Sequence, residues 1–184
     1  MNMTSQNTNP WVTAVQAAAP TAPAPTPEAI SEPVVVELSS PRPLFLSAHG
    51  GAGATVWAAV LDGHDGGSVT TWVPGDSPRG GTVLVLRSTV DGIAAAKKAI
   101  AHHGAHAFTC ALAVAAAPGR SPRIISDELK ILAGAVPLAH TPWVPTLLIR
   151  RAAHATTADI PMKELTKITA ELTKAGITLE GEMK

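Results

Sequence analysis

A glycine-rich loop between an apolar run and a helix-forming run is the part of this sequence best suited to chemistry. Residues 45–60 read FLSAHGGAGATVWAAV. Glycines let the backbone curl until its amides converge on an anion, and the start of a helix adds a partial positive charge. The predicted nucleotide- or anion-binding residues are His49, Gly50, Gly51, Gly53, Ala54 and Thr55.

The same loop lacks the lysine that a phosphate-binding loop normally carries. In the usual pattern a Gly-Lys-Ser/Thr ending supplies a cation for the β and γ phosphates and a hydroxyl for Mg²⁺. Here Ala54 stands at the lysine position and Thr55 at the hydroxyl position. Positioning and charge stabilisation account for nearly all catalysis of phosphoryl transfer. We therefore expect weak binding of ATP or ADP with Mg²⁺ at most, and no hydrolysis at a useful rate.

Strands and helices alternate along the chain around this loop. Short apolar runs predict strands at residues 43–48, 68–73, 82–87, 107–114 and 136–140. Capping residues and glycine stops predict helices at residues 54–61, 88–104, 124–134 and 145–155. This alternation predicts an α/β fold with a mainly parallel sheet flanked by helices. Ligands bind beyond the carboxyl ends of such strands, where the glycine loop lies.

Composition divides the chain into three parts. Residues 1–42 are rich in Pro and Ala and are expected to form a disordered N-terminal tail, whereas residues 43–154 carry the α/β pattern. Residues 155–184 predict a C-terminal amphipathic helix that Asp159 caps and Gly176 ends. Its apolar face consists of Met162, Leu165, Ile168 and Leu172. We expect this face to pack on the sheet; the alternative is a helix that binds a partner or a second copy.

The glycine loop resembles that of the ParA/MinD family of partition and positioning ATPases. SAHGGAGAT follows an apolar strand and is similar to the family's deviant pattern Lys-Gly-Gly-x-Gly-Lys-Thr. His49 stands where the family has its signature lysine and Ala54 where it has the second, while the glycines and Thr55 match. The resemblance extends over residues 43–149 and implies a reduced P-loop NTPase-like fold that has lost both cations.

The resemblance also implies an aspartate at a strand end that organises magnesium and water, and the strand expected to carry it is missing. Only a short segment, VPGDSPRGG, separates the second and third predicted strands. Asp76 lies in that segment, and Asp62 and Asp65 follow the loop helix. We interpret all three as turn residues, since aspartate is common in turns.

Three other groups of residues could do chemistry but are better explained structurally. His102, His103 and His106 could contribute to a zinc site, but Gly104 interrupts the helix and no fourth ligand is near, which favours a solvated helix end. Cys110 lies in an apolar strand and is expected to be buried and inert. Arg150 and Arg151 are where DNA binding would be sought, although residues 43–154 are only mildly basic.

Composition sets the remaining limits. The 14 basic and 14 acidic residues cancel, which gives no general attraction to nucleic acid or membrane. A single cysteine and the absence of a long apolar run indicate a cytoplasmic protein without a membrane span. Only six aromatic residues are available to stack on bases. The richness in Ala, Gly and Pro is typical of a GC-rich bacterial genome.

Taken together, these features predict a non-catalytic ParA/MinD-like binding or scaffolding subunit that acts through a protein partner or self-association. The resemblance leaves two alternatives open. One is a nucleotide-dependent switch whose missing cation comes from a partner chain. The other is an accessory protein in plasmid or phage DNA partition or transfer.

Overall fold

The computed structural model describes residues 42–75 and 79–179. The strands are β1 (Leu44–Ser47), β2 (His64–Ser68), β3 (Thr82–Arg87), β4 (Cys110–Val114) and β5 (Leu138–Thr141). The helices are α1 (Ala54–Val60), α2 (Val90–His103), α3 (Arg123–Ala133), α4 (Thr146–Ile149) and α5 (Met162–Lys174). The predicted tail lies outside the described residues, apart from Arg42. Within the described ranges, no helix is long and apolar enough to cross a bilayer.

The five strands form one sheet in which every neighbouring pair is parallel. Their spatial order is β2-β1-β3-β4-β5. This is a doubly wound order, in which the chain moves outward from β1 in one direction and from β3 in the other. The prediction of an α/β fold with a parallel sheet flanked by helices is confirmed. The order reverses between β1 and β3, so a crevice opens where those two strands end.

Apolar side chains from alternate strand positions build a core on each face of the sheet. On one face, Phe45, Val83 and Leu112 pack with α1 and α5. On the other face, Leu46 and Leu84 pack with α2 and α3. The run TVLVLR of β3 is apolar almost throughout because both faces of this central strand are covered.

The prediction of a second strand at residues 68–73 is wrong. β2 occupies His64–Ser68, which sequence analysis assigned mainly to a turn. A Cβ atom on Gly66 would approach the side chains of Leu44 and Leu46 to within 2.8 Å. The glycine therefore serves close packing of β2 against β1, and its pattern is easily mistaken for a turn.

The helix predicted at residues 145–155 is also wrong in extent. Only α4 is helical there, and Ala152–His154 forms a separate 3₁₀ turn. Between them, Arg150 and Arg151 have extended backbone, with ψ angles of 143° and 136°. Arg150 is held in this conformation by an ion pair with Asp159.

The C-terminal helix forms as α5, and its apolar face packs on the sheet. Leu165, Ile168 and Leu172 are buried in the same core as α1. Two details of the prediction are wrong: Met162 is 64% exposed, and Asp159 does not cap this helix but closes the 3₁₀ turn Thr157–Asp159 before it. Pro161 directly precedes the first turn of α5 instead.

Candidate functional site

The glycine loop lies at the carboxyl edge of the sheet, between β1 and α1. The Ala48 N–H donates to the Val85 carbonyl oxygen at 2.9 Å, which holds the start of the loop against β3. The loop therefore borders the crevice where the strand order reverses, as the carboxyl-end rule predicts.

The loop is a closed turn followed directly by α1. The Ala52 N–H donates to the His49 carbonyl oxygen at 3.2 Å, and Gly51 has a φ angle of 76°. A positive φ at the third position of a four-residue turn is that of a type II turn. Gly53 then adopts a φ of 99°, and its carbonyl oxygen accepts the first helical hydrogen bond, from Trp57 N–H at 3.0 Å.

Several loop amides remain available for hydrogen bonding. In the described part of the chain, the N–H groups of Gly51, Gly53, Ala54 and Thr55 have no acceptor. The Thr55 side chain is exposed, and no acidic residue lies in the first turn of α1. The glycine frame of the predicted site is thus present, with donors and without competing negative charge.

The His49 ring is turned into the structure instead of toward a ligand. Its Nδ1 donates to the Gly50 carbonyl oxygen at 2.9 Å, and its Nε2 accepts from the Arg87 N–H at 3.3 Å. Donating through one nitrogen while accepting through the other requires the neutral ring with its proton on Nδ1. His49 consequently ties the loop to the end of β3 and has no ring nitrogen left for a phosphate.

Because Gly92 has no side chain, the start of α2 can lie close to the hydrogen bond between His49 and Arg87. A Cβ atom at Gly92 would lie 2.3 Å from the Arg87 carbonyl oxygen and 3.0 Å from His49 Nε2. The Gly92 N–H also donates to Thr89 Oγ1 at 3.1 Å, which makes Thr89 the N-cap of α2. The β1 loop, β3 and α2 therefore meet at one close-packed point.

Ala54, at the family's lysine position, is a core residue. It is only 4% exposed and belongs to the apolar cluster that contains Trp57 and Val60. The neighbouring Thr55 is exposed. The helix start is therefore rotated so that position 54 faces the interior, where a lysine ammonium would lose its hydration.

The crevice beside the loop is nearly filled. Its remaining cavity is about 90 Å³ and lies between loop residues such as Gly53 and the segment after β5, which contributes Trp143, Val144 and Leu147. Ligand pockets for small molecules usually occupy on the order of 300 to 1,000 Å³. Arg87 also lines the cavity and donates from Nη2 to the Ala116 carbonyl oxygen at 3.4 Å.

Asp62 and Asp65, which were considered as possible magnesium ligands, both have other partners and are not positioned to bind a metal ion at this loop. Asp62 forms an ion pair with Arg42 at 3.2 Å, at the opposite edge of the sheet. Asp65 lies in strand β2 and not in a turn, and its carboxylate accepts from the Gly67 N–H at 3.0 Å. Asp76 lies outside the described residues. Among the residues that are described, no cluster of His, Cys, Asp and Glu could hold a metal ion.

A larger groove lies next to the crevice, on the α3 side of the sheet. It has a volume of about 680 Å³ and is bordered by the ends of β3, β4 and β5. Its polar lining includes Ser88, Ser121, Lys130 and His140, and Trp143 separates it from the glycine loop. No residue of this groove was singled out from the sequence as a site, and the carboxyl-end rule was the signal that could have found it.

The histidine cluster and Cys110 have structural roles. His103 Nε2 lies 3.1 Å from the Val69 carbonyl oxygen, and its ring packs against Trp72 and Phe108. Cys110 is fully buried in β4, and burial raises the pKa of its thiol to about 12. The expectation of a buried cysteine is confirmed.

Asp159 holds together the chain after β5 through three hydrogen bonds. It was predicted from the sequence only as a helix cap, without these contacts. Its Oδ1 accepts from Arg150 Nε at 2.9 Å, its Oδ2 accepts from the Thr156 N–H at 2.9 Å, and its carbonyl oxygen accepts from Thr146 Oγ1 at 2.6 Å. The hydrogen bond from Thr156 N–H, followed by the contact with Arg150, holds the pKa of Asp159 below its usual value. The local signal was Thr-x-x-Asp, a capping-box spacing.

Comparison of the chain with protein-family models, curated proteins and solved structures finds no match.

Proposed function

We propose that this chain is a non-catalytic binding or scaffolding subunit whose loop is similar to that of the ParA/MinD ATPases but serves the fold. The observation that carries the proposal is the inward-turned His49 ring beside a crevice of only about 90 Å³. A working phosphate loop would need its cation free and its crevice open. Here the His49 ring supplies no cation, because its Nε2 accepts from the Arg87 N–H, and the segment after β5 fills the crevice.

The missing charges argue against hydrolysis for separate reasons. The lysine position, Ala54, faces the core, so the absent ammonium is not replaced from that residue. Asp62 and Asp65, the described acids nearest in sequence to the loop helix, are engaged elsewhere. A loop that offers only amides can hold an anion but lacks the main contributors to the rate of phosphoryl transfer.

A protein partner or a second copy fits the exposed surface better than DNA does. Leu148 and Ile149 are 61% and 85% exposed beside the crevice. Arg150, one of the two residues where DNA binding would be sought, is paired with Asp159. We also propose a cytoplasmic location, since the one cysteine is buried in the core and forms no disulfide.

Titration of the full chain with labelled ATP and ADP, with and without Mg²⁺, tests this function. We expect no saturable binding up to about 1 mM, equivalent to less than about 4 kcal/mol of binding free energy. Gly51→Asp and Gly53→Asp variants place a negative charge in the loop and serve as controls. Magnesium-dependent binding that both variants abolish would refute the proposal.

One observation keeps the switch hypothesis as a second candidate. Arg87 lines the same cavity as Gly53 and has no carboxylate partner among the described residues. It would add to the positive charge that a partner chain supplies to the loop. Nucleotide binding would then appear only in the presence of that partner chain, and Arg87→Ala would weaken it while Arg151→Ala would not.

A further inference from the structure

We infer that residues 142–151, here called the strap, form a displaceable cover over the glycine-loop crevice, and that Asp159 is its latch. The strap forms one wall of the small cavity with Trp143, Val144 and Leu147, while Ala52, Gly53 and Val56 form the wall opposite. Removing the strap would therefore open the crevice at Gly53 and Arg87, next to loop residues such as Gly51 that are already exposed.

The strap itself is weakly anchored by apolar contacts. Its helix, α4, is a single turn with no buried side chain. Leu148 and Ile149 point largely into solvent, and Val144 is the strap residue buried in the core. Segments with few buried apolar contacts open at a lower free energy than the rest of a domain.

Asp159 holds the strap at both ends of α4. Thr146, the first residue of α4, donates to the Asp159 carbonyl oxygen, and Arg150, just after the last, donates to its carboxylate. Asp159 is itself fixed, because Thr156 closes a capping box with it and the adjacent Ile160 is buried in the core. Asp159, which is itself held in place, thus anchors a strap that has few buried side chains of its own.

The arrangement gives a device for uncovering the loop without unfolding the sheet. A group that draws Arg150 away from Asp159, such as a carboxylate of a protein partner, removes one of the two ties to α4. The strap would then swing away and expose Leu147, which would join the already exposed Leu148 and Ile149 in one apolar surface. Uncovering the crevice and enlarging this apolar surface would be the same event.

Thiol labelling of the full chain can detect this opening. A Val56→Cys substitution places a thiol under the strap, and the native Cys110 in β4 reports opening of the sheet itself. The latch variant is Asp159→Ala. The matched control is Asp127→Ala, which removes an aspartate that forms exposed ion pairs with Arg123 and Lys130 of α3 and, among the described residues, forms none with the strap.

We expect Asp159→Ala to raise the labelling rate of the Val56→Cys thiol by at least about tenfold, as lost hydrogen bonds to a charged group imply. Cys110 should stay unlabelled, and Asp127→Ala should change neither rate. Equal labelling of the Val56→Cys thiol with and without Asp159 would overturn the inference. So would labelling that rises only in step with Cys110, since that would make Asp159 a residue of global stability.

Arg150→Ala is the milder second variant, because it removes one tie and leaves the Asp159 capping box intact. Should Asp159→Ala fail to fold, Arg150→Ala decides the question with the same two thiols. Selective labelling of the Val56→Cys thiol in this variant supports the latch. A rate equal to that of the parent contradicts it.

Discussion

Introducing a lysine at position 54, where the ParA/MinD pattern has one, should destabilise this protein without creating a nucleotide site. Ala54 is 4% exposed and packs with Trp57 and Val60, so a lysine there must push its alkyl chain into an occupied core. Overpacking of this kind costs about 1 to 3 kcal/mol, and part of the charge penalty is avoided if the ammonium reaches solvent past the loop. We expect Ala54→Lys to lower the free energy of unfolding by about 2 kcal/mol.

The matched control is Thr55→Lys, which adds the same side chain one residue later at an exposed position. Its cost should stay below about 0.5 kcal/mol. For a domain of this size the difference corresponds to roughly 5 to 7 °C in the thermal midpoint, which differential scanning fluorimetry can resolve, and urea unfolding gives the free-energy difference directly. An Ala54→Lys variant as stable as Thr55→Lys would refute our placement of position 54. A variant that also bound ATP would show that the loop is a working phosphate frame.

Three further predictions concern the loop and the strap. Gly51→Ala should cost about 1 kcal/mol in urea unfolding because its φ of 76° disfavours a side chain, while Gly50→Ala, at a position without positive φ, should be nearly neutral. Equal costs would contradict the turn described for the loop. His49→Ala should lower stability by about 1 to 2 kcal/mol and speed hydrogen exchange of the Arg87 amide, and unchanged exchange would mean that the ring does not accept this hydrogen bond. Because the pKa of Asp159 is lowered in the folded state, its stabilising contribution is complete above about pH 4 and is lost as the pH falls through the lowered pKa. The difference in thermal midpoint between the parent and Asp159→Asn should therefore shrink as the pH falls from 5 toward 2, and a constant difference would contradict this assignment.

Strands and helices were predictable where burial or capping produces a recognisable pattern of residue types within a short stretch of sequence. The apolar run of β3 identified a central strand, and Thr89 and Gly104 bounded α2 as capping rules require. β2 was not predicted because its Gly66 serves close packing against β1, whereas local sequence patterns associate glycine with turns. The helix expected over residues 145–155 failed because Arg150 is fixed by Asp159, nine residues further along the chain.

The glycine loop was identified from the sequence, but the use of its side chains was not. The partner of His49 Nε2 is the Arg87 amide, 38 residues away, and no local pattern connects them. The inward direction of Ala54 depends on the rotation of α1 on the sheet. The filling of the crevice by Trp143 and Leu147 depends on the path of the chain after β5. These three features depend on contacts between residues far apart in the chain, so the composition and spacing of nearby residues could not predict them.

The most direct test of the central claim is a ¹H–¹⁵N NMR titration of the full chain with ATP and Mg²⁺, observing the amides of Gly50 to Thr55. If the loop serves the fold, these resonances will not move saturably up to about 1 mM nucleotide. Saturable shifts centred on Gly51, Gly53 and Ala54, accompanied by a shift of the Arg87 amide as His49 releases it, would show that the loop binds nucleotide and would contradict the account.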